Sequence, residues 1–235
     1  MTQDSIRSHI ETIHQRIAMA AERSGRDPSE ITILGASKQV EITRVLQAIS
    51  LGIIQIGENQ VQEAENKVEA IKQHGQGAIF HMIGHLQANK VKRAVAIFDV
   101  IQSVDSIRLA QRIDRSASEV NRHISIYIQV NIGQEPTKEG VRPDQVLELA
   151  EFVAACDHIS LAGLMTVPPH ISDKQSIRPY FRMLSDIRDR LYKIESYHEV
   201  NLELSMGMSD DFDIAVEEGA TIIRLGSSIW GPRPT

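Results

Sequence analysis

Eight short runs of aliphatic and β-branched residues recur along the chain, near 31–36, 53–56, 78–83, 97–103, 123–130, 159–164, 201–204 and 221–225. Helical patterns lie between them. Ile42/Val45/Leu46/Ile49, Val61/Ala64/Val68/Ile71, Val146/Leu149/Ala150/Val153 and Phe181/Leu184/Ile187/Leu191 each set apolar residues on one face of a 3.6-residue repeat. Regular alternation of this kind calls for a parallel sheet covered by helices. An open dinucleotide-binding sheet usually carries a GxGxxG after its first strand, and none follows residues 31–36. Eight units within 235 residues predict instead a closed (β/α)8 barrel, a TIM barrel, as one domain spanning 1–235. Ile6, Ile10, Ile13 and Ile17 add an amphipathic opening helix, within 1–25 and packed on the barrel, stopped around Ser24-Gly25-Arg26-Asp27-Pro28.

Composition narrows the partners. With 42% hydrophobic and 24% charged residues the chain can bury a full core, and its net charge of −6 gives no nucleic-acid footprint. The densest basic patch, Asn89-Lys90-Val91-Lys92-Arg93, reads as a solvated helix face. Cys156 is the only cysteine, so no intrachain disulfide forms, which suits a reducing compartment. The polar start Met1-Thr2-Gln3-Asp4-Ser5 is unlike a targeting peptide, and no apolar stretch reaches the ~20 residues of a membrane span. A cytoplasmic protein without membrane contact is expected.

In a barrel, residues at the C-terminal ends of the strands face the active site. Reading each strand to its end puts Lys38 after strand one, Gly57-Glu58-Asn59 after strand two, and His81 within strand three, which finishes at Ile83-Gly84-His85. Asn131 ends strand five and Met165-Thr166 strand six; Ser205-Met206-Gly207 and Arg224-Leu225-Gly226-Ser227-Ser228 end the last two. Most lysines at strand ends are solvated charges. One desolvated in a barrel mouth loses pKa and becomes an imine-forming nucleophile. The loops after strands seven and eight are where barrels often bind phosphate, and their Ser and Gly residues let backbone approach an anion. The same residues also serve merely to turn the chain, and Ser209-Asp210-Asp211 reads as a cap for the next helix.

A phosphate cradle opposite an imine-forming lysine implies pyridoxal 5′-phosphate, PLP. Arg224 falls two residues before Gly226, on the same barrel-facing side by alternation. A guanidinium against the pyridine nitrogen stays charged and does not hand over its proton, which leaves the ring a weak electron sink. A structural ion pair beneath the mouth is the competing reading of Arg224. No HExxH or Cys/His spacing supports a metal, and Gly84 breaks the helical geometry that His81 and His85 would need. No GxSxG supports a serine hydrolase. Glu58 and His81 stand as acid/base candidates, or as residues that hydrogen-bond their neighbours.

These residues resemble the pyridoxal phosphate homeostasis proteins, PLP-binding barrels of the alanine racemase N-terminal-domain type. The resemblance runs through Ala36-Ser37-Lys38, Gly57-Glu58-Asn59 with Gln62-Glu63, and His81-Met82-Ile83-Gly84-His85-Leu86-Gln87-Ala88-Asn89-Lys90. It continues through Asn131, Glu135, Lys138, Gly140 and Gly163-Leu164-Met165 to Leu204–Asp210 and Arg224–Gly231. The order of the pieces, more than any one, makes it specific. It implies a single-domain barrel holding PLP as a Schiff base on Lys38, with phosphate contacts from Ser205, Met206, Gly226 and Ser227. Arg224 would lie near the pyridine nitrogen, and Asn59 and His81 near the ring. It also implies a role in vitamin B6 and amino-acid homeostasis. Gln39-Val40-Glu41 and Ser227-Ser228 depart from what many relatives have.

Two functions compete: a non-catalytic PLP carrier or regulator, and a PLP-dependent amino-acid racemase. Racemases of related fold use a second acid/base group, typically a Tyr from an additional domain. Here the chain stops four residues past Gly231, and Tyr127, Tyr180, Tyr192 and Tyr197 all fall away from the strand ends. The carrier is the expected function, acting as a monomer with apo-PLP enzymes as candidate recipients.

Overall fold

The computed structural model describes residues 3–74, 77–169, 171 and 173–232. Met1 and Thr2 of the expected opening helix lie outside the described residues. Eight parallel strands close on themselves in sequence order: β1 (Thr32–Ala36), β2 (Gln55–Glu58), β3 (Ile79–Met82), β4 (Val100–Val104), β5 (Ile124–Gln129), β6 (Ile159–Met165), β7 (Glu203–Ser205) and β8 (Ile222–Leu225). The helices are α1 (Gln3–Ser24), α2 (Ile42–Ser50), α3 (Val61–His74), α4 (Val91–Ile97), α5 (Ile107–Glu119), α6 (Val146–Ala154), α7 (Arg178–Leu191), α8 (Phe212–Glu217) and the one-turn α9 (Ser227–Trp230). The chain is a TIM barrel.

Register shows which side chains meet inside. Leu34 pairs with both Gln55 and Arg224, Gly57 with His81, His81 with Val100, and Met165 with Ser205. Paired residues of neighbouring strands share a face, so these positions all point to the barrel axis. Leu34, Val100, Tyr127, Met165 and Ile222 form a separate apolar cluster that plugs the interior. The alternate residues, among them Ile33, Ile56, Phe80, Ile101 and Ile223, pack outward under the helices. Three expected strands shift, the seventh to Glu203–Ser205 from 201–204. The second begins at Gln55 rather than 53, because Gly57 and Glu58 continue the ladder opposite His81 and Met82. The fourth begins at Val100 rather than 97, because Ile97 still closes α4.

Helix α1 covers the seam where the barrel closes. Ile6, Ile10, Ile13 and Ile17 are each at most 5% exposed, and this face packs on α8 and α9. Its polar edge is fixed too: Arg16 pairs with Asp213 at 2.6 Å and lies over the Phe212 ring. His9 Nδ1 hydrogen-bonds Ile229 O at 2.9 Å. The helix ends at Gly25, whose φ of +66° allows Arg26 N–H to donate back to Ala21 O at 2.9 Å. Thus α1 braces the two helices that follow the loops after β7 and β8.

Candidate functional site

Lys38 lies two residues past β1, half-buried, where two cavities meet. One, of about 470 Å³, is lined by Asn59, Met82, Gly84, His85 and Lys90 beside Lys38. The other, of about 270 Å³, is lined by Ala36, Lys38, Arg44, Gly226, Ser227 and Trp230. The fold therefore brings Lys38, Asn59, Gly226 and Ser227 to one mouth, although they are scattered over nearly the whole chain. Trp230 Nε1 donates to Ala36 O at 2.8 Å, and Arg44 donates to Trp230 O, tying α9 to the end of β1.

Beneath the mouth a belt of hydrogen bonds crosses the barrel. Gln55 Oε1 lies 2.5 Å from His81 Nε2, and Gln102 Nε2 lies 3.0 Å from His81 Nδ1. With the Gln102 amide donating to Nδ1, the imidazole is neutral and donates from Nε2 to Gln55. Burial pushes the His81 pKa down to about 4, in keeping with that tautomer. On the other side of the belt, Gln102 Oε1 accepts from Ser205 Oγ at 2.7 Å. Arg224 Nη1 then donates to Ser205 O at 2.6 Å and Oγ at 2.9 Å, while Nη2 donates to Thr166 O at 2.7 Å.

Arg224 is the unusual member. It is 5% exposed, and these hydrogen-bond acceptors are all neutral. Burial pushes its pKa down to about 10, opposed by the charge of Asp211. Among the described residues no carboxylate hydrogen-bonds this guanidinium, so the ion pair of the alternative reading is reduced to the longer-range charge of Asp211. What remains is a desolvated cation fixed by Ser205 and Thr166 beside the ends of β7 and β6.

The loops after β7 and β8 divide the expected phosphate contacts. Gly226 and Ser227 border the cavity of Lys38, and a Cβ on Gly226 would meet nothing closer than Ala36 O at 3.9 Å. α9 starts at Ser227, so the first N–H groups there have no helical carbonyl to donate to. One of them, Ser228 N–H, donates to Ser209 Oγ at 3.2 Å and joins the two loops. Ser205 and Met206 are engaged elsewhere. The Ser205 hydroxyl is spent on Gln102 and Arg224, and Met206 N–H donates to Ile222 O at 3.1 Å. The Met206 side chain is fully buried on the helix side of the sheet. The expected Ser209-Asp210-Asp211 cap is also corrected. Asp211 stands at the N-cap of α8 without a side-chain bond into it, because its Oδ1 takes Met208 N–H at 2.6 Å. Gly207 makes this turn with φ +89°, and a Cβ there would sit 2.5 Å from that of Ala215.

His81 and His85 part as expected, one inside the barrel and one on its exposed rim. At that rim His85, Asp105 and Glu139 bring potential ligand atoms within 4.8 Å of one another. Glu58, an acid/base candidate from sequence, faces outward from β2 and bonds Ser37 and Lys67. Residues missed by sequence reasoning include Gln55, Gln102 and Lys67. A polar side chain inside an apolar strand, or a lysine in the apolar stripe of a helix, was the available signal.

A family model described as the alanine racemase N-terminal domain matches residues 9–234. The chain is 40% identical over 224 residues to the pyridoxal phosphate homeostasis protein of Aquifex aeolicus, covering 95% of this chain and 96% of that one. The protein of the same name from Escherichia coli is 32% identical over 235 residues, covering 98% and 97%. Among solved structures, PipY of Synechococcus elongatus with PLP bound matches with a TM-score of 0.79 at 32% identity, over 93% of this chain and all of that one. An alanine racemase from Clostridium difficile shares the fold at a TM-score of 0.68 and 15% identity; the match spans 99% of this chain and 57% of the racemase.

Proposed function

The chain belongs to the pyridoxal phosphate homeostasis proteins, and from that premise we propose that it holds pyridoxal 5′-phosphate in its barrel mouth through Lys38. The observation that carries this is the meeting, at one cavity, of the Lys38 amine that follows β1 with Gly226 and Ser227 of the loop after β8. When bound, PLP supplies an aldehyde that an amine captures and, in enzymes, an electron sink. Lys38 is the amine. Arg224 binds the pyridine nitrogen without releasing a proton, and His81 and Ser205 hold its floor in one hydrogen-bond pattern. Gly226 and Ser227 take the phosphate, while Ser205 and Met206 support that wall from β7. Asn59, beside Lys38, borders the ring.

This arrangement favours retention over turnover. A charged guanidinium against the ring leaves electron withdrawal weak. Tyr127, the one tyrosine inside the barrel, donates to Glu203 at the start of β7, and burial raises its pKa. It therefore offers no second proton donor at the mouth. We read the protein as a cytoplasmic, monomeric carrier or regulator that takes part in vitamin B6 and amino-acid homeostasis, with apo-PLP enzymes as recipients.

The direct test is spectroscopic. Purified protein mixed with PLP develops the absorbance of a lysine-bound cofactor, and borohydride fixes the label on the peptide containing Lys38. A protein that stays colourless, or is labelled on other lysines, overturns the assignment. The racemase alternative is decided by incubating loaded protein with single L-amino acids in deuterated water: α-proton exchange with turnover would replace the carrier reading. Reactivation of an added apo-enzyme separates a donor from a sensor.

A further inference from the structure

Around the backbone that carries Lys38 stands a buried charged cluster that the site described above does not use. α3 packs its Val61/Ala64/Val68/Ile71 stripe on the barrel, and Lys67 falls within that stripe, 8% exposed. Its ammonium has three protons to give. One goes to Ser37 O at 2.5 Å, one to Glu58 Oε1 at 3.1 Å and one to Glu63 Oε1 at 2.8 Å. The carboxylates reach the same segment. Ser37 Oγ donates to Glu58, and Gln39 N–H donates to Glu63 Oε1 at 2.5 Å. The residues immediately before and after Lys38 are thus gripped from α3 and β2, while Lys38 itself projects the other way, into the mouth.

Two observations set this cluster apart from ordinary packing. Buried ion pairs recover little of the hydration they lose, so an apolar trio here would serve stability as well or better. Glu58 Oε2 is buried with no hydrogen-bond partner among the described residues, so the cluster is not arranged for full satisfaction. The second observation is the backbone at Gln39, a non-glycine residue held at φ +59°, directly after Lys38. Such a conformation persists where the surroundings over-determine it, and here its N–H is clamped by Glu63.

We propose that Lys67, with Glu63 and Glu58, is a positioning device: it fixes the chain on both sides of Lys38 and so sets where the Lys38 amine stands in the barrel mouth. The inference rests on the reading of Lys38 as the PLP anchor, and its test has an arm that does not need PLP. Glu63 is partly exposed, so Glu63→Ala removes the Gln39 clamp at small risk to folding, whereas Glu63→Gln keeps an acceptor in the same place. Glu58→Gln combined with Lys67→Met removes the buried charges as a balanced pair.

The first readout is the rate at which an amine-reactive reagent labels Lys38 in cofactor-free protein, relative to Lys72 and Lys90, read by peptide mass spectrometry. The second is the equilibrium of PLP attachment at Lys38, trapped by borohydride. Loss of a charge-assisted hydrogen bond to the clamp weakens attachment about tenfold, roughly 1.4 kcal/mol, in Glu63→Ala and in the double variant. The relative labelling of Lys38 changes with it, and Glu63→Gln restores both. Folded variants, judged by circular dichroism, with unchanged Lys38 labelling overturn the positioning role. Should the double variant fail to fold, Glu63→Ala against Glu63→Gln decides alone. If the unmodified protein never attaches PLP at Lys38, the proposed function falls, and the labelling comparison still decides the clamp.

Discussion

His81 is a buried imidazole whose protonation is opposed by the barrel around it. Folded, it stays neutral until about pH 4, chiefly because burial strips water from the charged form, whereas an ordinary histidine titrates near 6.5. Between those values the unfolded chain binds the extra proton and the folded chain does not. Stability therefore rises with pH across this window and is lost as pH falls from 6.5 towards 4. From pH 7 to pH 5 this group alone removes about 2 kcal/mol. Urea unfolding of the wild type and of His81→Gln at both pH values measures it: the variant loses less by about that amount. Equal losses would mean that folded His81 takes up its proton over the same pH range as the unfolded residue. Sequence reasoning reached His81 by reading the third strand to its end and Arg224 through strand alternation, but it could not see what joins them. Gln102 and Ser205 are 103 positions apart, and their bond exists only because closure sets β4 and β7 across one interior. Met206 is different. Alternation from an inward Ser205 already turns its side chain outward, so its burial under the helices was legible.

At the scale of elements, all eight strands and the opening helix could be read because each carries a period that packing then rewards. Strand ends were less legible: β2 runs on through Gly57 and Glu58, residues that look like a loop until their ladder with β3 is seen. The apolar face of α1 makes a quantitative claim. Ile13 is 2% exposed, and Ile13→Ala leaves a hole between α1 and the barrel. The cost is about 2–5 kcal/mol, seen as a lower urea midpoint with an unchanged slope. Met19, on the same helix but 58% exposed, is the control, and Met19→Ala stays within about 0.5 kcal/mol. A small effect at Ile13 would mean that α1 rests loosely on the barrel. It would then not brace α8 and α9, whose loops carry Gly207 and Gly226.

For the whole molecule, closure is what makes a site. Lys38 follows the first strand and Gly226 the last, and they share a cavity because β1 pairs with β8. A closed sheet has no edge from which to fray, so the seam opens only with the rest. Trp230 is the only tryptophan in the chain and sits on this seam, its indole N–H on Ala36 O. Its fluorescence reports the β1–β8 junction, while far-ultraviolet circular dichroism reports helices all around the barrel. In urea the two signals follow one transition, and added PLP moves both to higher urea together by mass action, while quenching Trp230 in the folded state. Fluorescence that changed at lower urea than dichroism would show that the seam unlatches first. The site would then belong to a local unit rather than to the barrel, and the bracing assigned to α1 would have to be given up.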